Sequence, residues 1–328
     1  IVLLYNPTLD GGAQTPSWVY LLAAFLLFYY QTMDAIDGKH ARNTKSSSAL
    51  GELFDHGLDA LTTMCQTLII ISTLQLGATY WSVACMFLIY VTSYLVIWED
   101  YVTDELRFGV FNSPTEAILL AVAICIVTGV LGHGIWEFSF FSFSFNHVVV
   151  SGCILMALSV IYTSIVTVLA KAKQGKNERA NDLGGVNGAV KALVPFIIQL
   201  VLYVIYAIAS PTIVHQQIVA LLIAFGLIAS YLQTRMILAR VCRETVPIIP
   251  AILYPLPLVV LNALGPKIAV RLVDYSYLFY ISACYIHLVY NGITEMTLVL
   301  GIECFRLRKH DKVPHGFATP RSEIKKSQ

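Results

Sequence analysis

The chain has 328 residues, of which 57% are hydrophobic and only 12% charged, with 21 basic and 20 acidic side chains and a net charge of +1. Soluble domains carry about 25% charged residues, and so few charges could not cover the two soluble domains that this length would make at ~150 residues each. An ordinary soluble enzyme, a disordered protein and a basic nucleic-acid binder are excluded, and the chain reads as membrane-embedded.

A membrane-spanning helix needs about 20 mainly apolar residues. In chain order, nine stretches qualify: 17–38, 50–76, 79–98, 115–132, 147–170, 188–209, 216–238, 246–263 and 276–303. They are too long and too continuously apolar to be strands of an outer-membrane barrel, which alternate over ~10 residues. The expected fold is all-α and polytopic, with nine visible membrane helices, short loops and no internal repeat. The chain starts at Ile1 rather than Met, and a tenth helix upstream is expected.

Basic residues sort by alternate loops. Lys39, Arg42 and Lys45, then Arg107, then Lys171, Lys173, Lys176 and Arg179, then Arg235, Arg240 and Arg243 fall on one side, together with seven in the tail. That side has eighteen, against Lys267 and Arg271 on the other. The positive-inside rule makes the basic side cytosolic. Residues 1–303 are read as one membrane domain. Residues 304–328 are read as a basic, disordered cytosolic tail that rests on anionic headgroups. The seven cysteines are scattered without CxxC spacing and read as small buried residues rather than as disulfides or zinc ligands.

The anomaly in so apolar a chain is a run of carboxylates, since each costs about 2.5–3.5 kcal/mol at the centre of a membrane helix. Asp34 and Asp37 stand at i, i+3 near the end of the first stretch, and Asp55 and Asp59 at i, i+4 near the start of the second. Each pair shares a helix face, and the short polar link 39–49 makes the helices neighbours, so the four are expected to converge. Such a group repels itself unless a cation joins it, and an all-oxygen donor set favours Mg²⁺, Mn²⁺ or Ca²⁺ over zinc or copper. Salt bridges to Lys39, Arg42 and Lys45 are the competing account. Gly38, Gly51 and Gly57, extended by Ala41 and Ala60, let a ligand or a second helix approach the backbone closely. Arg42 is placed to pair with a phosphate oxygen.

The run from Asp34 through Asp37-Gly38, Ala41-Arg42, Gly51 and Asp55 to Asp59 resembles the signature of the CDP-alcohol phosphotransferase family, D-x₂-D-G-x₂-A-R-x₈-G-x₃-D-x₃-D, at all eight specified positions. The flavour Gly51-Glu-Leu-Phe-Asp55-His56-Gly57 is similar to the eukaryotic choline/ethanolamine branch, as, more loosely, are Leu106-Arg107-Phe108-Gly109 and Thr115-Glu116. The resemblance is strong over residues 18–116; beyond them only the apolar pattern agrees.

The resemblance implies an enzyme that moves phosphocholine or phosphoethanolamine from CDP-choline or CDP-ethanolamine to diacylglycerol, releases CMP and forms phosphatidylcholine or phosphatidylethanolamine. It implies Asp34, Asp37, Asp55 and Asp59 as the shell of Mg²⁺ (or Mn²⁺), with two ions as the natural arrangement. Gly38, Ala41, Arg42, Gly51 and Glu52 are expected to line the substrate, and a location in the endoplasmic reticulum or Golgi with the site facing the cytosol follows. For the proton of the attacking hydroxyl, the family pattern points to Asp59. The residues themselves offer His56, whose ordinary pKa near ~6.5 suits the task and which stands i+4 from Glu52. The reading favours His56 as base, with Asp59 on the metal. Trp98, Glu99 and Tyr101, beyond Tyr90 and Tyr94, are candidates to meet the amino-alcohol head group, with an interfacial aromatic belt as the alternative. Choline against ethanolamine, and a homodimer, stay open. Two other readings compete: a phospholipid synthase with an inositol or glycerol phosphate acceptor, and a cation-coupled transporter that uses the carboxylates as an ion site.

Overall fold

A computed structural model describes residues 1–10, 15–105, 114–140, 143–175, 177–265 and 268–304. A short α1 (Val2–Tyr5) leads to α2 (Ser17–Asn43), α3 (Ala49–Thr73), α4 (Tyr80–Thr103) and α5 (Pro114–Leu131). A 3₁₀ turn at His133–Glu137 precedes a small antiparallel ribbon of β1 (Ser139–Phe140) and β2 (Phe143–Ser144), in which Ser139 pairs with Ser144. Then follow α6 (Phe145–Gln174), α7 (Glu178–Asp182), α8 (Val186–Ala209), α9 (Pro211–Gln216), α10 (Ile218–Val241), α11 (Leu256–Leu264) and α12 (Val270–Leu300).

The all-helical membrane architecture is borne out. Among the described residues six helices, α2, α4, α6, α8, α10 and α12, are long and apolar enough to cross a bilayer. Their outward faces carry Leu155, Tyr162, Ile208, Phe279 and Val299, all strongly exposed. That much exposed apolar surface fits lipid as the solvent.

Two elements differ from the sequence expectation. α2 runs past 38 to Asn43, so Lys39 and Arg42 lie on the helix and the link to α3 is only 44–48. Ser48 then starts α3 as a side-chain cap, accepting the Gly51 N–H at 3.0 Å. The stretch 246–263 contains Pro247, Pro250, Pro255 and Pro257. Prolines remove backbone donors and clash within a helix, and what forms is a 3₁₀ turn at Ala251–Leu253 followed by the nine-residue α11. At 1.5 Å per residue that helix is roughly 14 Å long, about half a hydrocarbon core. The Leu106–Gly109 stretch, Lys176, Lys267 and the tail from residue 305 lie outside the described residues.

The interior is built on α3, α4 and α10. Gly226 lets α10 approach α3 closely: a Cβ there would stand 2.6 Å from Met64 Cγ. One turn further on, the Ser230 hydroxyl donates to the Ala60 carbonyl at 2.6 Å and accepts from Tyr90 at 3.0 Å. Tyr94 and Trp98 of α4 donate to the carbonyls of Ala192 and Ala189 at 2.9 and 2.8 Å, which fixes α8. α2 packs differently. Ala23, Ala24 and Leu27 form a separate small cluster with Ala121, Val122 and Cys125 of α5.

Candidate active site

The link 44–48 turns the chain so that the last turns of α2 and the first turns of α3 lie side by side. Asp34 is contributed by the first, Asp55 and Asp59 by the second, and all three are half-buried. One carboxylate oxygen from each lies within 4.8 Å of the others. Asp55 and Asp59 are one turn apart, so they present along one edge of α3. α2 supplies the opposing carboxylate. Among the described residues this is the group of carboxylates placed to hold a metal ion. Its donor set, three carboxylate oxygens and no nitrogen or sulfur, fits a hard divalent cation.

Asp37 stands apart from that group. It is exposed, and its Oδ1 accepts the N–H of the next residue, Gly38. The expected convergence of four is therefore a convergence of three. The i, i+3 spacing keeps Asp37 near Asp34 but leaves its side chain exposed, and its charge still acts on Asp34, Asp55 and Asp59.

Tyr30 braces the cluster from below. It lies one turn before Asp34 on α2, and its hydroxyl donates to Asp59 Oδ1 and accepts from Thr62 at 3.1 Å. Sequence reasoning missed it, although its i−4 spacing from Asp34 put it on the right face. His56 is half-buried, with Nε2 3.8 Å from Asp55 Oδ2.

Glu52 does not stand behind His56, as the i, i+4 spacing had suggested. Its carboxylate pairs with Arg240 of α10, whose Nε also lies 2.9 Å from Asp100 Oδ2 at the end of α4. Arg240 thus ties the start of α3 to two other helices. A guanidinium held between two carboxylates outcompetes the imidazole for Glu52. Arg240 and Asp100 are the other residues missed, because three distant segments meet there.

The remaining predicted positions divide. Gly38, Ala41 and Arg42 line the last turns of α2, where Arg42 Nη1 lies 3.4 Å from the place of a Gly38 Cβ. Gly51 is exposed in the first turn of α3. Gly57 faces Thr234 of α10, whose Cγ2 would stand 3.7 Å from a Cβ at that position, so it serves helix packing. The aromatic residues of α4 require correction. Trp98 and Tyr101 are only 2% and 1% exposed, and Glu99 is buried too. Tyr101 donates to the Glu244 carbonyl at 3.3 Å, and the Arg179 guanidinium lies 4.9 Å above its ring. Their faces are filled by protein, which leaves neither a head-group cage nor an interfacial belt. Arg179, counted from sequence with the loop cations, is itself buried.

Known proteins bear on this geometry. The family profile of CDP-alcohol phosphatidyltransferases matches residues 13–230, which include the whole acidic cluster. The chain is 34% identical to choline/ethanolaminephosphotransferase 1 of Arabidopsis thaliana, over 94% of this chain and 83% of that one. It is 28% identical to cholinephosphotransferase 1 of Saccharomyces cerevisiae, over 85% and 70%. A CDP-alcohol phosphatidyltransferase class-I family protein of Dictyostelium discoideum is 32% identical over 91% and 70%.

Proposed function

The chain belongs to the CDP-alcohol phosphatidyltransferase family and is a transferase of phospholipid synthesis, and within that activity we propose that it transfers phosphocholine or phosphoethanolamine from the CDP-alcohol to diacylglycerol. The observation that carries this reading is the meeting of Asp34, Asp55 and Asp59 at the junction of α2 and α3. The names of the Arabidopsis and yeast relatives support the choice of head group.

In the proposed reaction the diacylglycerol hydroxyl attacks the phosphorus that bears the amino-alcohol. The bond from that phosphorus to the bridging oxygen breaks, and CMP leaves with that oxygen. The hydroxyl proton passes to His56, which lies beside the cluster and carries its positive charge next to Asp55. Asp59 is less suited to that task, since Tyr30 already donates to one of its oxygens. Asp34, Asp55 and Asp59 are assigned to a divalent cation, with Mg²⁺ as the ion. When bound, such an ion offsets the charge of the diphosphate and of departing CMP. Arg42, exposed on the last turn of α2, takes a phosphate oxygen. Asp37, on the outer side, adds to the field that draws the cation in.

The basic end of the bundle is assigned to the cytosol, where a water-soluble CDP-alcohol arrives, in the membrane of the endoplasmic reticulum or Golgi. Diacylglycerol then enters from the bilayer. The test is CMP release from labelled CDP-choline and CDP-ethanolamine with diacylglycerol and Mg²⁺. Turnover with at least one donor, lost on chelation and restored by Mg²⁺, is expected. A folded protein that releases CMP from neither donor defeats the proposal.

A further inference from the structure

A second polar site lies at the far end of the bundle. α10 connects the two ends: Arg240 in its last turns holds Glu52, and Leu221 in its first turn is 19 residues earlier. At 1.5 Å per residue they are roughly 28 Å apart. Beside Leu221 is a cavity of about 20 Å³, between α8, α10, α11 and α12. Tyr206, Gln217, Asp274 and Tyr277 give it its polar character.

The hydrogen bonding of this cavity is incomplete. Asp274 Oδ1 accepts from the Tyr206 hydroxyl, but Asp274 Oδ2 has no partner and no contact with solvent. The same holds for Gln217 Oε1 and for the hydroxyl of Tyr277, a residue only 6% exposed. Three unpartnered oxygens on residues that line one cavity, one of them on a carboxylate, are unfavourable unless a bound group pairs with them.

The chemistry of the missing partner follows from these atoms. A carboxylate oxygen and an amide oxygen only accept, whereas the phenol both accepts and donates. The cavity has room for a single water-sized group. Water offers two protons and no charge. A primary ammonium offers three N–H donors, one for each oxygen, and a positive charge opposite Asp274. A trimethylammonium group is several times larger and has no N–H.

A larger recess of about 520 Å³ shares Ile213 and Gln217 with the inner cavity. It is lined by Ser210, Thr212, Gln216 and Arg271, and its volume is in the range of small-molecule sites. Arg271 and Asp274 stand at i, i+3 on α12 and so share one helix face. A cation at the mouth and an anion within complement a phosphate joined to an ammonium by a short linker. We propose that this end of the protein binds the head group of a phospholipid carrying phosphate and a primary ammonium, as in phosphatidylethanolamine, with Arg271 on the phosphate and Asp274, Gln217 and Tyr277 around the ammonium.

The test is native mass spectrometry of the full-length, delipidated protein in detergent, titrated with phosphatidylethanolamine or phosphatidylcholine. Wild type is expected to retain one phosphatidylethanolamine per chain and to hold phosphatidylcholine at least about tenfold more weakly. Asp274→Asn reduces phosphatidylethanolamine to the phosphatidylcholine level. Tyr277→Phe removes one oxygen at constant shape and weakens retention about fivefold without lowering the melting temperature, which guards against misfolding of the Asp274 variant. Displacement of the lipid by millimolar soluble phosphoethanolamine would show that the head group alone suffices; persistence of the lipid would show that its chains are also held. Equal retention of both lipids by wild type, or equal retention of phosphatidylethanolamine by wild type and Tyr277→Phe, overturns the proposal. No CDP-alcohol is present, so the result stands apart from that of the transfer assay.

Discussion

The two halves of the aspartate motif are held in different ways. The α3 half is locked into the interior: Glu52 is paired to Arg240, Gly57 packs on Thr234, and Ala60 receives the Ser230 hydroxyl. The α2 half rides on a helix whose main partner is α5, through a small cluster of its own. Asp37 and Arg42 on it are exposed. Among the described residues Tyr30, reaching across to Asp59, is the hydrogen-bonding side chain that links the halves. In the proposed reaction this contrast makes Asp55 and Asp59 the fixed edge and leaves the α2 edge, with fewer ties to the interior, as the one to adjust to a diphosphate.

The strongest way to test this division is at the fixed edge. Asp55→Asn should lower turnover by about 10³–10⁴-fold, several kcal/mol of transition-state stabilisation. It should leave the melting temperature unchanged or raised, because like charges within 4.8 Å repel in the absence of a cation. A melting temperature that falls with activity would mean that Asp55 holds the fold. Arg240→Ala comes next. It strands Asp100, whose side chain is 6% exposed, and the more exposed Glu52, at a cost of about 3 kcal/mol read by thermal or denaturant unfolding. Arg240→Lys should recover only part of it. His56→Ala should reduce kcat about 10²-fold, at the lower end for a lost general base, with stability unchanged. Near-normal turnover would return the role to Asp59.

The smallest effects compare the two packing units directly. Gly226→Ala forces a methyl against Met64, which is buried at 9% exposure, and should cost about 1–2 kcal/mol. Gly129→Ala meets Leu21 of α2 at 2.7 Å and the Ser17 carbonyl at 3.3 Å, but Leu21 is 42% exposed and can swing into lipid, so the cost should stay at about 1 kcal/mol, below that of Gly226→Ala. Equal costs would erase the proposed difference in rigidity.

What the sequence made legible was local. The membrane class followed from composition, and Asp34, Asp55 and Asp59 from helical spacing and a short link. The contacts it concealed join segments far apart in the chain. Trp98 spends its indole N–H on Ala189, 91 residues away, so an aromatic row near a membrane surface looked available when it was already buried. Glu52 and His56 sit at an ideal spacing, yet Arg240 arrives from 188 residues further on and takes the carboxylate. The shortening of the 246–263 stretch was, by contrast, written in its four prolines.

Arg179 carries one more consequence. From the short α7 it reaches the carbonyls of Tyr101, Ala239 and Glu244, at the carboxy-terminal ends of α4 and α10. Helices end there with partial negative charge, roughly half an electron each, at the same end of the bundle as the acidic cluster. An anionic nucleotide approaching this surface would meet two repulsive helix ends as well as the aspartates. Arg179, buried and shared between both ends, offsets that background beside Arg240 and Arg243, which pair with Asp100 and Asp104, so in the proposed reaction the field at the mouth of the site is set largely by the carboxylates and a cation bound to them.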